Sequence, residues 1–169
     1  ALIGVFSSDH AVADPAAFLQ AWRAAERAAD AGYIALFGMQ PTGPATGFGY
    51  IEAGAPLASL ELPGDPVRQV VRFVEKPGLE QAREFLEHGN YYWNGGMFVF
   101  RAGRFLSILE RHQPALFAAL PALAQTSGVA SAELYRELPE ISIDYGVLEH
   151  ADNVAVVPVD MGWSDLGSW

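Results

Sequence analysis

DPAAFLQAWRAAERAADAGYIALFGM, residues 14–39, is the stretch that decides the fold class. Asp14-Pro15 is a helix start, a capping carboxylate ahead of a proline at the first helical position. Phe18, Leu19, Trp22 and Ala25 recur at helical spacing in the run up to Ala31, and Gly32 ends it. Tyr33–Met39 is then a short, nearly continuous apolar run, which predicts a buried strand. Upstream, Ala1-Leu2-Ile3-Gly4-Val5-Phe6 reads as another strand, ending at Ser7-Ser8-Asp9-His10. Strand, helix and strand in that order predict a right-handed parallel crossover.

Outward from this unit, Pro41-Thr42-Gly43-Pro44-Ala45-Thr46-Gly47-Phe48-Gly49-Tyr50-Ile51 is loop chemistry leading into an extended segment. Pro56–Pro66 reads as an exposed turn or hairpin. Residues 67–74 predict a strand, and 78–88 a short amphipathic helix stopped by Gly89. Tyr91-Tyr92-Trp93-Asn94-Gly95-Gly96 reads as a glycine-bearing loop ahead of a strand at 97–100. Helical patterns fill 102–112 and 114–125. A short helix is expected at about 142–150, a strand at 154–159 and a loop from 160 onward. Strands alternating with helices, without internal repeats, give one α/β layer architecture. Its ligands belong beyond the carboxyl ends of the strands.

Bulk properties narrow the chemistry. The chain has 169 residues, enough for one domain with a real core, and 51% are apolar, which argues against disorder. Cysteine is absent, excluding disulfides, thiolate zinc sites and thiol nucleophiles. His10, His88, His112 and His150 lie far apart and make no metal-spaced pair. A net charge of −10 argues against a grip on a nucleic acid backbone. A small anionic substrate is compatible if a divalent metal offsets the charge locally. No apolar run reaches the length of a membrane helix, and no basic-then-apolar leader opens the sequence, so the expected location is the cytoplasm. The sequence opens in mid-strand without methionine and stops at Gly167-Ser168-Trp169, which reads as a piece of a longer polypeptide.

Several polar residues fall just beyond strands: Asp9, Glu75, Lys76 and Asp165, with Asn94 in its glycine-bearing segment. Asp14 already serves as a cap, which leaves Asp9 without that duty. Lys76 is the single lysine beside nine arginines. Lysine is a mobile point charge suited to a phosphate oxygen, where arginine presents a rigid fork. Strand alternation places Glu75 and Lys76 on opposite faces, and Pro77 biases Lys76 toward an extended backbone. The pair is therefore expected to splay, the carboxylate addressing a hydroxyl and the ammonium a phosphate; a solvated strand end is the equal alternative. Thr46-Gly47-Phe48-Gly49-Tyr50 lets backbone approach a ligand, or serves a hairpin or bulge, and matches neither the dinucleotide fingerprint nor a P-loop. Asn94 can donate and accept hydrogen bonds to a polyol. Asp9 and Asp165 could converge at one sheet edge, and two carboxylates with waters and substrate phosphates make a normal Mg²⁺ site.

Six segments in order resemble the sugar-1-phosphate nucleotidyltransferases, most closely the branch that joins mannose 1-phosphate to GTP. They are Ser8-Asp9-His10; Pro41-Thr42 with Thr46–Ile51; Phe73-Val74-Glu75-Lys76-Pro77; Trp93-Asn94-Gly95-Gly96-Met97-Phe98; Ser142–Glu149; and Gly162–Trp169. The resemblance implies a Rossmann-like, GT-A-like three-layer sandwich with a mixed, mostly parallel sheet, incomplete at its N-terminus. It implies a single nucleotidyltransferase domain over 1–169, with the family's N-terminal strand and glycine-rich loop lying upstream of Ala1. By the same likeness Asp9 and Asp165 match the Mg²⁺-binding aspartates, and Glu75 the glutamate that holds sugar hydroxyls. Lys76 matches the lysine that holds the sugar phosphate, while Asn94, Gly47 and Gly49 line the sugar pocket. Lys76, Asp9 and Asp165 would carry catalysis. The implied reaction is attack of the mannose 1-phosphate oxygen on the α-phosphate of GTP, giving GDP-mannose and pyrophosphate. A homodimer is compatible; nucleic acid and membrane are not implied. His150, Gln40 and Ser7-Ser8 depart from the family's usual lysines and Pro-Ala. Alternatives are a glucose-1-phosphate nucleotidyltransferase or a nucleotide-sugar-binding module without chemistry. These 169 residues alone are expected to turn over little or nothing.

Overall fold

A computed structural model of the chain describes residues 1–57 and 67–166. Most of the turn expected at Pro56–Pro66 lies outside these residues, as do Gly167, Ser168 and Trp169. The chain forms two compact units, Ala1–Arg101 with Asn153–Trp169, and Ala102–Asp152.

The first unit holds β1 (Leu2–Val5), β2 (His10–Val12), α1 (Pro15–Asp30), β3 (Ile34–Met39), β4 (Gly49–Pro56), β5 (Arg68–Val74), α2 (Leu79–His88), β6 (Tyr91–Arg101), β7 (Val154–Val159) and β8 (Trp163–Asp165). α1 starts where expected: Asp14 Oδ1 accepts from the amides of Ala16 and Ala17 at 2.9 and 3.0 Å. Its buried stripe is made of alanines, Ala21, Ala24, Ala25, Ala28 and Ala29, at i, i+3, i+4 spacing. Leu19, read as part of that face, is exposed. Side chains this small let the helix lie close on β3, β6 and β7. β3 is buried at every residue, as a continuous apolar run requires of a strand covered on both sides.

The main sheet runs β1-β6-β3-β7-β5-β4, and a further β6–β4 pairing closes its last five strands into a ring. The sheet is mixed, but the expectation that it is mostly parallel fails. Among the described residues only β3–β7 is parallel, and the other pairings in this sheet are antiparallel. The cause is β6, which runs against β1 and β3 and lies between them. The crossover through α1 thus keeps β1 and β3 co-directional without making them neighbours.

β6 also corrects the loop reading of 91–96. The strand begins at Tyr91, passes through a bulge and continues to Arg101. Opposite β3 the register jumps from Leu36↔Phe98 to Gly38↔Asn94, and Gly96 takes φ 63° within the displaced residues. Glycine supplies that left-handed residue without a Cβ penalty, so the pair that looked like a loop signal marks a bulge. β2 and β8, three residues each, were also missed, because so short a run carries no readable alternation.

The second unit holds α3 (Ala102–His112), α4 (Pro114–Gln125), α5 (Val129–Arg136), α6 (Ile143–Gly146) and a 3₁₀ turn at Leu148–His150. α5 had no sequence assignment, and the helix expected at 142–150 is broken at Val147.

Candidate functional site

β2 and β8 pair in a small sheet of their own, with His10 opposite Asp165, Ala11 opposite Ser164 and Val12 opposite Trp163. The Leu166 amide donates to the Asp9 carbonyl at 3.1 Å, carrying the ribbon one residue further. Asp9, in the turn just before β2, and Asp165, on β8, come from opposite ends of the chain and therefore lie one step apart in register. Directly opposed residues project to one side, so His10 and Asp165 share a face with Val12 and Trp163. Among the described residues no group of three or more His, Asp or Glu side chains could hold a metal ion. Two carboxylates suit Mg²⁺, which keeps waters and takes substrate phosphates rather than demanding an all-protein cage.

A second cluster forms where β4, β5 and β6 meet. Gly49 lies opposite Asn94, and Tyr50 opposite both Trp93 and Val74, so the strands set Gly49, Asn94 and Glu75 side by side. A Cβ on Gly49 would stand 2.5 Å from Glu75 Oε2 and 3.6 Å from Asn94 Cβ. The carboxylate thus lies directly over bare backbone, the close approach glycine permits. At Gly47 a Cβ would meet nothing within 4 Å, so no close approach explains that glycine. Asn94 Oδ1 accepts from the Gly96 amide at 3.1 Å, closing the bulge with its own side chain.

Lys76 differs from expectation twice. Its φ is 44°, the one positive value at a non-glycine residue among those described, and its Nζ lies 3.3 Å from Glu75 Oε1. The chain must turn from β5 into α2 between Val74 and Leu79 around a buried Pro77, and the turn is taken at Lys76. That backbone abandons strand alternation, so the pair converges instead of splaying. With side chains 65% and 41% exposed, the ion pair adds little stability and the ammonium stays open to a ligand. Left-handed backbone at a non-glycine residue is strain of the kind that collects at functional sites.

Aromatic rings connect the two clusters. Trp163 packs edge-on to His10 at 5.2 Å, and Phe48, the neighbour of Gly49, lies 5.3 Å from Trp163 and 5.1 Å from Trp93. Since Trp163 and Asp165 share a face, the aspartate stands on the side of the ribbon that faces Phe48, Trp93 and the Glu75 cluster. His10 Nδ1, Trp93 Nε1 and Trp163 Nε1 are buried there without a hydrogen-bond partner. Sequence reading singled out neither Phe48 nor His10, because isolated rings carry no spacing signal.

Behind Glu75, Arg72 Nε donates to Glu52 Oε2 at 2.6 Å and Arg72 Nη2 to the Tyr91 hydroxyl at 2.8 Å. That hydroxyl donates in turn to Glu52 Oε2 at 2.8 Å. The Arg72 hydrogen bond holds the Glu52 carboxyl below its ordinary range against the opposing effect of burial, while burial pushes the Tyr91 phenol up. Tyr91 stacks on Phe85 at 4.0 Å, tying α2 to the sheet beneath the cluster.

The model of the nucleotidyl transferase family matches residues 1–169, the whole chain. The chain belongs to this family. As a nucleotidyl transferase it is 45% identical, over its full length, to mannose-1-phosphate guanylyltransferase of Sinorhizobium fredii, covering 33% of that protein. It is 44% identical over 99% of its length to mannose-1-phosphate guanylyltransferase ManC of Salmonella typhimurium, covering 36% of it. The chain therefore spans about a third of the length of these curated relatives. Among solved structures it resembles one described as mannose-1-phosphate geranyltransferase from Thermus thermophilus. The TM-score is 0.84 at 36% identity, over 99% of this chain and 47% of that one.

Proposed function

We propose that this nucleotidyl transferase chain provides the sugar-phosphate and metal sites of a mannose-1-phosphate guanylyltransferase, which makes GDP-mannose and pyrophosphate from GTP and mannose 1-phosphate. The observation that carries the reading is the Glu75 carboxylate lying over Gly49 beside Asn94, with the strained Lys76 next to it. Glu75 and Asn94 offer acceptors and a donor to sugar hydroxyls, and the bare Gly49 backbone lets the ring sit close. Lys76 exchanges its weak pairing with Glu75 for the phosphate, so one residue pair reads the sugar and the other end of the same substrate. The attacking phosphate oxygen is already an anion and needs no general base. It forms a bond to the α-phosphorus of GTP while the α–β bridging bond breaks and pyrophosphate leaves. Asp9 and Asp165 would hold the family's divalent metal, taken as Mg²⁺. When bound, the ion offsets charge between two anionic substrates. The relatives' names support the substrate choice. The same reading takes 1–169 as one nucleotidyltransferase domain and its sheet as part of a Rossmann-like, GT-A-like layered core. It also takes the protein to work in the cytoplasm.

Calorimetric titration of mannose 1-phosphate into the native chain and Lys76→Ala tests the proposal. A charge-assisted contact to phosphate predicts at least about tenfold weaker binding in the variant. Unchanged affinity removes Lys76 from this role, and preferential binding of glucose 1-phosphate overturns the mannose assignment.

A further inference from the structure

The two segments that carry the acidic pair cross at one point before they reach it. Met161 is 1% exposed, and its carbonyl accepts from the amides of Ala13 and Asp14 at 3.1 and 2.9 Å. Asp14 is also the cap of α1, so β2, which follows Asp9, is anchored to the rigid N-terminus of that helix. From Met161 the chain passes through Gly162 at φ 61° and enters the strand that carries Asp165. A Cβ on Gly162 would stand 2.7 Å from Ala13 Cβ, and the Ala13 amide lies 3.3 Å from the Gly162 carbonyl. Both strands leave this crossing already paired, Val12 opposite Trp163, and stay paired to His10 opposite Asp165. An error at the crossing is carried along both strands to their acidic ends. The contact is backbone against a methyl with no rotamer, so nothing flexible can absorb an added atom.

We infer that Gly162 is a positioning residue for the acidic pair: its bare, left-handed backbone against Ala13 sets the ribbon register that brings Asp165 beside Asp9. This rests on the metal reading of that pair, and the experiment separates the two. The probe is Mn²⁺, titrated into the 169-residue chain and followed by electron paramagnetic resonance of the free ion. Binding by the native chain that Asp9→Asn and Asp165→Asn each weaken supports the metal reading; no binding by the native chain overturns both. Gly162→Ala should weaken Mn²⁺ binding about tenfold or more, the usual scale for a residue that orients metal ligands. Ala13→Gly combined with Gly162→Ala removes the 2.7 Å contact but keeps an alanine at left-handed φ, so it should regain part of that loss. A residue with only a fold role would lower Tm and leave the Mn²⁺ affinity of the folded protein unchanged. Native affinity in folded Gly162→Ala overturns the inference, as does a folded double variant that binds no better than the single one. If Gly162→Ala does not fold, the double variant decides: measurable Mn²⁺ binding weaker than native supports the role, and native affinity or none overturns it. Loss of folding in both makes Gly162 a folding residue and overturns it too.

Discussion

Replacing Lys76 should raise or lower stability according to what replaces it, while phosphate binding falls either way. Lys76 holds φ 44° and is followed by proline, which itself disfavours helical backbone in the residue before it. Left-handed backbone costs a residue with a Cβ about 1–2 kcal/mol, whereas glycine gives up about 0.5–1 kcal/mol of extra chain entropy on folding. Lys76→Gly should therefore be more stable than Lys76→Ala by about 0.5–1 kcal/mol. For a chain of this length that is roughly 2 °C in Tm, measurable by scanning calorimetry. Both variants lose the ion pair to Glu75, so its small contribution cancels in the comparison. Neither should bind mannose 1-phosphate as the native chain does. An alanine variant as stable as the glycine variant would refute the strain argument, leaving the phosphate assignment to stand or fall by titration.

Gly49→Ala places a methyl 2.5 Å from Glu75 Oε2, so the carboxylate must move. Loss of one charged hydrogen bond to a sugar hydroxyl predicts about tenfold weaker mannose 1-phosphate binding in calorimetry, with the fold retained by circular dichroism. Glu52 titrates below its ordinary value of 4.5 in the folded chain, chiefly through its Arg72 hydrogen bond. A depressed carboxyl contributes its stability above the unfolded pKa and loses it as pH falls through the folded one. Urea unfolding should therefore show native stability falling below about pH 4.5, and Glu52→Gln should be less stable at neutral pH with a flatter acid limb. A parallel acid limb in the variant would show that Glu52 does not carry the effect.

The helix of residues 15–30 and the buried strand after it were legible because their signals are local: a capping aspartate, a proline, a glycine stop and an unbroken apolar run. Asp9, Glu75, Asn94 and Asp165 were legible as polar residues beside strands; the resemblance implied their grouping, which local residue patterns alone did not require. Gly49 faces Glu75 only because β4 pairs with both β5 and β6, a fact of sheet order. The bulge at Gly95 and Gly96 imitated a loop, since glycine marks both. The backbone turn at Lys76 ran against its proline because packing of Pro77 and the entry into α2 override a neighbour preference. Gly162 opened one of the resembling segments, but nothing showed its role, because its contact is with Ala13, far away along the chain.

The β2–β8 ribbon has a kinetic consequence. It joins the first dozen residues to the last few described, so it is among the longest loop closures the chain makes. Three residue pairs cannot repay that closure alone, and contacts of such separation form late in folding. The closed ring of β3 to β7 must come first and hold both ends in reach. In reverse, the ribbon opens at lower cost than the ring, as small peripheral units do. Amide exchange should then find Leu166 unprotected long before Val156, and the acidic pair is parted while the sheet beneath it is still intact.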